Sequence, residues 1–464
     1  MKKLLLFLLL IVPVVAVAQA TTDGVDYEPV NGIGIKNIWI QDRAHTPEVW
    51  SAQPYCNYSA RTAVMHDGYI YIAHSNAKAI IQGTDTLVQS VVYKVDATTG
   101  EMVKELPLTL NGNIYGGATL SANTVGVDNF GHLFIAPFTS NAAPYQKIYL
   151  LDGETGELTV VSEELYKDAV YRIDYIDVMG DLTREQAECN IMAAAAVSEN
   201  CMIYRWHADQ GSDEFEGGFD GDPYFEIIPD DVTQWNLAPV VKMVLGADDE
   251  ERYSANLFYV DGFTAAPYLC QMNNSEVFDS FENVDPELKP WDVGANGVCE
   301  FTLDGRNFIV YVMAQYTGYK ESIDKNLACQ VNICELGEDM SLAGMQHYWM
   351  VPDALGTISD NGTRVESINV EYGVDAEGNE EVTLFIYKCY NGMAVYKIGK
   401  NVGGDDPHPS LPGDVNGDGE VGIADVNVLI NMILNNDQDP VGDVNGDHEV
   451  GIADVNVLIG IILS

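Results

Sequence analysis

VVYKVDATTGEMVKELPL at residues 91–108 and KIYLLDGETGELTVV at residues 147–161 are two copies of one strand–turn–strand pattern. The matched positions lie 56 residues apart and are Tyr93 with Tyr149, Asp96 with Asp152, Thr99 with Thr155, and Gly100 with Gly156. In such a turn the Asp side chain accepts hydrogen bonds from backbone amides, and Gly supplies a positive φ. The pattern therefore predicts a hairpin between two outer strands, and its recurrence indicates a repeated structural unit.

Short apolar or alternating runs, separated by turn residues, continue this rhythm through residues 21–400. They are GYIYIAHS (68–75), GHLFIAPF (131–138), NCMIYRW (200–206), NLFYVDGF (256–263), NFIVYVMAQY (307–316) and VTLFIYKCY (382–390). The last run precedes Asn391-Gly392, a pair favoured in two-residue hairpin turns, and a further strand at 393–398. A four-stranded unit roughly every 45–60 residues is typical of a β-propeller.

We therefore expect an all-β domain over residues 21–400, a β-propeller with six blades, with five or seven blades as alternatives. NIWIQD at residues 37–42 is expected to complete the last blade, so that ring closure hides the sheet edges. The two matching units resemble those of quinoprotein-like and WD-repeat propellers. The alternative fold is an array of two-sheet sandwiches.

A second repeat occupies the end of the chain, where GDVNGDGEVGIADVNVLI (413–430) and GDVNGDHEVGIADVNVLI (442–459) differ only at residues 419 and 448. Each block places oxygen donors at positions 1, 3, 5, 7 and 12 of an EF-hand type of calcium loop. The predicted ligands of the two Ca²⁺ sites are Asp414, Asn416, Asp418, Glu420 and Asp425, and Asp443, Asn445, Asp447, Glu449 and Asp454. Val421 and Val450, at position 8, are expected to join the loops to an apolar core.

Each loop leads directly into an apolar segment with helical spacing, at 426–434 and 455–463. Position 12 is Asp, not the Glu of an EF-hand, and no helix precedes either loop. A duplicated loop followed by one exit helix resembles the type I dockerin module, over residues 413–464. The resemblance implies a small calcium-dependent domain that docks to a cohesin-type scaffold protein. It also implies that loop positions 10 and 11, together with the exit helix, contact the partner; the residues at positions 10 and 11 are Ile423, Ala424, Ile452 and Ala453.

Residues 1–20 have the pattern of a secretory signal peptide: Lys2 and Lys3, an apolar stretch, and a small residue at the expected cleavage point after Ala20. The mature protein is therefore expected to be secreted and extracellular. Without Lys2 and Lys3, 21 basic residues face 70 acidic ones, a net charge of −49. Nucleic acid and anionic membrane surfaces are excluded as partners because both would repel such a protein. Residues 401–412 are rich in Gly, Pro and Asp and are predicted to be a linker.

The eight cysteines permit disulfides in an exported protein, because their number is even. Most of them lie inside strand-like apolar runs, and no Cys-x-x-Cys spacing occurs. We therefore favour buried free thiols over a disulfide framework.

The sequence does not identify catalytic residues: no HExxH, GxSxG or P-loop motif occurs, and no residues for a redox cofactor are found. The acidic segment 209–231 is read as a solvated loop, with a further calcium site or a carboxylate pair for glycoside hydrolysis as alternatives. His74 and His132 are expected to be packing positions. Four aromatic residues are candidates for stacking on sugar rings: Tyr55, Tyr145, Trp206 and Trp235.

The favoured function is non-catalytic. The dockerin-like module docks the chain into an extracellular assembly, and the propeller binds a glycan or a protein. The main alternative is a polysaccharide-degrading enzyme, a glycoside hydrolase or lyase, delivered by the same module. A third possibility is an adhesion or structural surface protein. Carboxylates converging about 5–10 Å apart in a propeller pocket would favour the hydrolase.

Overall fold

A computed structural model describes the chain from residue 20 to residue 463, with internal gaps. The gaps are residues 83–84, 119, 141, 168–171, 198–199, 218–223, 228–238, 247–251, 255, 263–264, 272–275, 281–296, 313–330, 338–339, 343, 353–354, 357–365, 404–412, 414, 416–420, 436–441, 443 and 446–449. The chain divides into two compact units, Met1–Val25 with Asn37–Lys397, and Asp26–Lys36 with Ile398–Ser464. No helix in the described part of the chain is both long and apolar enough to span a bilayer.

Most of the described chain consists of antiparallel strands. The first elements are strand β1 (Gly34–Asp42) and helix α1 (Pro47–Ala52). Blade 1 contains β2 (Ala60–His66), β3 (Tyr69–Gln82), β4 (Asp85–Asp96) and β5 (Met102–Pro107). Blade 2 contains β6 (Thr109–Leu110), β7 (Asn113–Ile114), β8 (Thr124–Val127), β9 (Leu133–Ala136), β10 (Tyr145–Leu151) and β11 (Glu157–Tyr166). Blade 3 contains β12 (Ile176–Gly180), β13 (Cys189–Val197), β14 (Asn200–Ala208), β15 (Glu216–Gly217) and β16 (Tyr224–Ile227).

The second half of the chain continues the same arrangement. Blade 4 contains β17 (Val240–Val244), β18 (Leu257–Gly262), β19 (Ala265–Gln271) and β20 (Glu276–Ser280). Blade 5 contains β21 (Val298–Leu303), β22 (Arg306–Val312), β23 (Val331–Glu335) and β24 (Gln346–Val351). Blade 6 contains β25 (Glu366–Val374), β26 (Glu380–Lys388) and β27 (Gly392–Gly399), followed in the sheet by β1.

The innermost strand of each sheet, here called its first strand, belongs to a closed ring; these strands are β2, β8, β12, β17, β21 and β25. Strand β2 packs beside β8 and β25, β12 packs beside β8 and β17, and β21 packs beside β17 and β25. The described residues thus form a six-bladed β-propeller, as predicted, and the alternative of a sandwich array is wrong. Strand β1 is the outer strand of blade 6, which confirms the expectation for residues 37–42. Pairing the N-terminal strand with the last blade leaves no open seam between the chain ends.

The repeated hairpin turn has the predicted structure in both copies. Asp96 Oδ1 accepts the amides of Thr98 and Thr99 at 2.8 and 2.9 Å, and Gly100 has φ +71°. Asp152 Oδ1 accepts two turn amides at 2.8 and 2.9 Å in the same way, and Gly156 has φ +79°. The two turns join the outer strands of blades 1 and 2.

The turn predicted at Asn391-Gly392 lies one residue earlier than expected. The hairpin joins β26 to β27, but the residue with positive φ is Tyr390, at +65°, and Gly392 begins β27. A Cβ on Gly392 would lie 2.3 Å from the Cβ of Asp42 in β1, so this glycine permits close approach of two strands. The Asn391 side chain is buried and donates to the carbonyl of Leu355 at 3.0 Å.

The core of the propeller lies between neighbouring blades. Between blades 1 and 2, for example, Tyr71 and Val92 of one sheet pack with Ile135 and Tyr149 of the next. Each sheet therefore buries both faces, which explains why its strands read as nearly continuous apolar runs. Seven of the eight cysteines are described, and all seven are free thiols, as favoured from the sequence; six are buried and Cys56 is half-buried.

The second unit ends in two helices, α2 (Ile423–Asn435) and α3 (Ile452–Ile462), which pack against each other. Each begins three residues before the predicted helical segment. Their shared core includes Leu429 and Leu458, both fully buried. Val450 is buried in this core and Val421 packs against it, so the prediction for loop position 8 is confirmed.

Candidate functional site

The C-terminal helices hold one predicted calcium ligand each in their first turn. Asp425 and Asp454 are both 0% exposed. The Oδ2 atoms accept the amides of Gly422 at 2.7 Å and Gly451 at 2.8 Å, and Asp454 Oδ1 also accepts the amide of Asn445 at 3.0 Å. A carboxylate at a helix N-terminus is favoured by the helix dipole, but a buried one needs further charge compensation. A divalent cation in the preceding loop would supply it, so these residues fit the predicted Ca²⁺.

The other predicted ligands are only partly described. Asn445 is half-buried. The remaining seven predicted ligands lie outside the described residues: Asp414, Asn416, Asp418, Glu420, Asp443, Asp447 and Glu449.

The predicted partner-binding residues lie on the exposed side of the same helix turns. Ile423 is 75% exposed and Ile452 is 71% exposed, and Ala424 and Ala453 beside them are also exposed. Both copies thus bury the Asp at position 12 and expose the Ile at position 10. Scattered exposed apolar residues are ordinary, but the same placement in two copies defines a specific apolar surface.

On the propeller, a cavity of about 490 Å³ opens between blades 1 and 2 at the end of the sheets where the repeated turns lie. Its walls include His66, His132 and Tyr71, and the charged groups Asp67, Lys94, Asp152 and Glu154. The Lys94 ammonium group is nearly buried, lies 3.9 Å from the centroid of the Tyr69 ring, and forms an ion pair with Glu154.

Two of the carboxylates that line this cavity, Asp152 and Glu154, have lowered pKa values. Turn amides of Glu154 and Thr155 lower the pKa of Asp152 below its ordinary value, and the hydrogen bond and charge of Lys94 lower the pKa of Glu154. A glycosidase needs one carboxyl that stays protonated as its general acid. Neither of these two groups has that property.

A second cavity, of about 420 Å³, lies in blade 2 near the opposite ends of its strands. Its wall is formed by Tyr115, Gly116, Ala118, Ser121, Pro137, Phe138, Thr139, Ser140, Ala143, Tyr145, Lys147 and Tyr149. Tyr145 is 42% exposed, so its ring is accessible to a ligand, and its stacking on a sugar ring stays a prediction.

The other aromatic candidates differ from Tyr145. Tyr55 is 0% exposed and Trp206 is 1% exposed, so both belong to the packing between blades and cannot contact a sugar. Trp235 lies outside the described residues. Of the acidic segment, 209–217 and 224–227 are described, and they include the short edge strands β15 and β16 instead of a wholly irregular loop.

His74 and His132 have different roles, although both were expected to be packing positions. His74 is buried against the edge of the Tyr93 ring, and burial lowers its pKa, so that prediction is confirmed. His132 instead joins Asp128 and Asp181, which follow the first strands of blades 2 and 3. Its Nδ1 lies 2.9 Å from Asp128 Oδ2 and 3.4 Å from Asp181 Oδ1, and it donates because carboxylates only accept.

This group of three has the residue types of a metal site, but its oxygens already have donors. Asp128 accepts the amides of Phe130, His132 and Leu182 at 2.8–2.9 Å in addition to the imidazole. Asp181 accepts the Thr183 amide, the Thr183 hydroxyl and the Gln186 amide. Burial would raise the pKa of Asp181, but these hydrogen bonds outweigh it and lower the pKa. The group is therefore a hydrogen-bonded connection between two blades.

A group with the same residue types, Glu188, His207 and Asp209, lies on blade 3. Asp209 is 86% exposed, and its Oδ1 lies 3.0 Å from His207 Nε2. We regard it as a surface ion pair, because exposed acidic groups beside histidine are common without a metal.

The first strands of blades 3, 4 and 5 contribute a third set of ionisable groups. Lys242 donates to Asp177 Oδ1 at 2.6 Å, and the attraction to that carboxylate raises the pKa of Lys242 despite the opposing effect of burial. Glu300 lies on β21, where burial raises its pKa to about 7, although the hydroxyl group of Tyr259 opposes this. Glu300 Oε2 meets no hydrogen-bond donor in the described structure.

Comparison with known proteins relates this chain to others by fold. No protein-family model matches the sequence, and no curated protein matches it. Among solved structures, a DUF4623 family protein from Bacteroides eggerthii matches with a TM-score of 0.53 and 11% identity, over 80% of this chain and 77% of that one.

Two further structures match less closely. The β-propeller domain of Cps50 (Swd1) from Myceliophteria thermophila matches with a TM-score of 0.31 and 9% identity, over 74% of this chain and 86% of that one. A polysaccharide lyase of family PL25, an ulvan lyase, matches with a TM-score of 0.34 and 8% identity, over 72% of this chain and 82% of that one. At such identities the likeness concerns the propeller fold alone.

Proposed function

We propose that this is an exported modular protein that docks to a cohesin-type scaffold through its calcium-binding C-terminal module, while its propeller binds a ligand. The main support is the contrast, present in both copies, between a fully buried Asp and an Ile two residues earlier that is more than 70% exposed. Burial of an Ile side chain is worth about 1.5–3 kcal/mol. A tail without a partner would gain stability by covering these side chains, whereas a docking surface needs them exposed.

Calcium has a defined role in this proposal. Asp425 and Asp454 would bind the ion at position 12 of each loop and also accept amides at the start of α2 and α3. The ion would supply the positive charge that a buried carboxylate requires, together with oxygen ligands from the loop residues identified in the sequence. Loop folding and helix position would then depend on calcium.

Docking is tested with the full-length protein and a panel of purified type I cohesins, by calorimetry in calcium and in excess chelator. We expect binding to at least one cohesin in calcium and none in chelator. Because the two copies are nearly identical, Ile423→Ser or Ile452→Ser alone should leave one usable face. The double variant should weaken binding by about a hundredfold or more, since both central apolar contacts are lost.

The matched control is Ile81→Ser, which removes an isoleucine side chain that is 78% exposed on strand β3 of the propeller, outside the C-terminal module. It should bind as the unchanged protein does. Equal binding by the double variant, or binding that is unaffected by chelator, would contradict docking through this surface.

For the propeller we propose binding of a glycan or a protein over hydrolysis. In the larger cavity both Asp152 and Glu154 have lowered pKa values, so neither would serve as a protonated acid. A soluble polysaccharide panel, scored for retention and for release of reducing or unsaturated products, separates binding from catalysis. Retention without product is the expected result.

One observation favours the alternative of a polysaccharide-degrading enzyme. The raised pKa of Glu300, about 7, keeps that carboxyl partly protonated at neutral pH, as a general acid requires. If the panel releases product, the Glu300→Gln variant should abolish release while retention persists. Product release that survives this substitution would exclude Glu300 as the acid.

A further inference from the structure

The smaller cavity of blade 2 has walls that are fixed by buried polar side chains. Gln146 is 0% exposed, and its amide nitrogen donates at 3.0 Å to the carbonyls of Pro137 and Lys147. Its amide oxygen accepts the hydroxyl of Thr139. Lys167 is also 0% exposed and donates to the carbonyl of Ser140 at 3.2 Å. One wall of the cavity is thus held in place before any ligand arrives.

Another part of the wall, formed by Tyr115, Gly116, Ala118 and Ser121, is held in a similar way by residues of strands β3 and β4. Asn76 accepts the amide of Gly117 at 3.1 Å and donates to the carbonyl of Ala118 at 3.2 Å. The Ser121 hydroxyl lies 2.7 Å from that of Ser90. A ligand that binds to a cavity with such walls causes little further loss of conformational entropy, because the side chains of the cavity are already held in place.

Donors and acceptors lie side by side next to this cavity, because Lys147 and Tyr149 line it and Glu163 on β11 contacts both. Lys147 Nζ lies 3.1 Å from Glu163 Oε1, which also accepts the hydroxyl of Tyr149 at 2.6 Å. These hydrogen bonds lower the pKa of Glu163, which therefore stays ionised and balances the charge of Lys147. Lys147 and Glu163 are 44% and 43% exposed, so both remain accessible to a ligand.

An aromatic face adjoins these polar groups. Tyr145 and Tyr166 face each other across β10 and β11 with ring centroids 6.2 Å apart, and they are 42% and 50% exposed. Tyr149, two positions after the charged Lys147, is buried, so the exposed ring at the rim of the cavity is that of Tyr145. A flat apolar face beside a charge-balanced set of donors and acceptors complements a pyranose ring, which has C–H bonds on its faces and hydroxyl groups on its edge.

We propose that this cavity is a saccharide subsite that takes a neutral pyranose residue of a glycan, with Tyr145 as the stacking platform and Lys147 and Glu163 as hydrogen-bonding groups. The proposal rests on the proposed ligand-binding role of the propeller and names its site and ligand. The cavity volume of about 420 Å³ lies within the range of small-ligand sites, about 300–1,000 Å³. An anionic ligand is disfavoured, because the protein has a formal net charge of −47.

The test uses the full-length protein in calcium and measures affinity for soluble xylan, galactomannan and mixed-linkage glucan, with polygalacturonate as an anionic comparison. We expect measurable affinity for at least one neutral polysaccharide and weaker affinity for polygalacturonate. Tyr145→Ala should lower the affinity at least about tenfold, since it removes the stacking surface. Lys147→Ala should lower it by a smaller factor.

The matched control is Tyr58→Ala. Tyr58 is 51% exposed and packs on another tyrosine, Tyr390, with ring centroids 4.4 Å apart, but it does not line the cavity. It should bind as the unchanged protein does. Thermal unfolding of all three variants checks their folding, and exposed positions should change stability little.

Three results would overturn the proposal: no neutral polysaccharide is bound, polygalacturonate is preferred, or Tyr145→Ala binds as tightly as Tyr58→Ala. The last result would place the glycan site elsewhere on the propeller while leaving its glycan binding intact. All three would leave docking through the C-terminal module unaffected, because cohesin binding is measured separately.

Discussion

Asp128 is the side chain whose substitution tests the propeller geometry most sharply. It is buried at the end of the first strand of blade 2, and its two oxygens accept four hydrogen bonds. Two of these, from the amide of Leu182 and Nδ1 of His132, converge on Oδ2. Leu182 follows the first strand of the next blade, so the carboxylate joins blades 2 and 3.

Asp128→Asn keeps the size of the side chain but replaces one oxygen with an NH₂ group. An NH₂ group in the Oδ1 position faces the amides of Phe130 and His132, so two hydrogen bonds are lost. In the Oδ2 position it faces the amide of Leu182, so one is lost, because His132 can accept through its other tautomer. Such bonds contribute about 1.5–3 kcal/mol each. Because the side chain takes the orientation that loses fewer bonds, we expect the free energy of unfolding of the propeller to fall by about 2 kcal/mol.

The measurement is denaturant unfolding followed by tryptophan fluorescence. All six tryptophans lie between residues 39 and 349, and none lies in residues 413–464, so the signal reports on the propeller alone. Asp209→Asn is the matched control, because Asp209 is a highly exposed partner of His207 and should change stability by less than about 0.5 kcal/mol. A loss below about 1 kcal/mol for Asp128→Asn would refute the inter-blade connection.

Three further predictions concern single sites of the propeller. The pKa of Glu300 is raised to about 7 in the folded protein, so the folded form binds the proton more tightly and loses stability as the pH rises from about 4.5 to 7. The Glu300→Gln variant should therefore be more stable than the unchanged protein by up to about 3 kcal/mol at pH 8, and nearly equal to it at pH 4.5. A difference in stability that does not grow with pH would contradict this. Among the seven described thiols, Cys56 should react first with a thiol reagent in native protein at pH 8, since the other six are buried. If mass-spectrometric mapping finds that Cys201 is modified as fast as Cys56, the result would be inconsistent with the fold. Gly100→Ala should lower the free energy of unfolding by about 2 kcal/mol, because φ at this position is +71° and the new Cβ would lie 2.8 Å from Gln41 Nε2. Gly378→Ala, where φ is +86° but no atom lies within 4 Å of the new Cβ, should lower it by only about 1 kcal/mol in the same assay.

The propeller could be predicted from the sequence because its turns and its strands are each specified by residues that are close together in the chain. The Asp-x-x-Thr-Gly turns need only the residues within them, and apolar runs show which strands are buried on both faces. The ring closure by residues 37–42 also followed from the strand pattern, since a lone N-terminal strand needs a sheet edge.

The errors involve contacts between parts of the chain that are far apart. Gly392 was assigned to a turn because Asn-Gly pairs favour one, but it lies opposite Asp42, about 350 residues earlier, where only glycine fits. Nothing in the local sequence distinguishes the buried Tyr55 and Trp206 from the exposed Tyr145, because their burial depends on neighbouring elements of the fold. His132 was read as packing because its partner Asp181 belongs to the next blade.

A sequence signal for this last group does exist. An Asp directly follows the first strand of blades 1, 2, 3, 5 and 6, as Asp67, Asp128, Asp181, Asp304 and Asp375. Aligning the blades on this residue would have singled out Asp128 and Asp181 as equivalent positions. That alignment requires the strand boundaries, which the looser later blades do not reveal on their own.

The central claim, that calcium organises the C-terminal helices, is tested most directly by amide hydrogen exchange of the full-length protein in excess calcium and in excess chelator. In calcium, the amides of α2 and α3 should be protected. In chelator they should exchange rapidly while the propeller strands keep their protection, because only the module depends on the ion. Equal protection of both helices in the two conditions would contradict the claim.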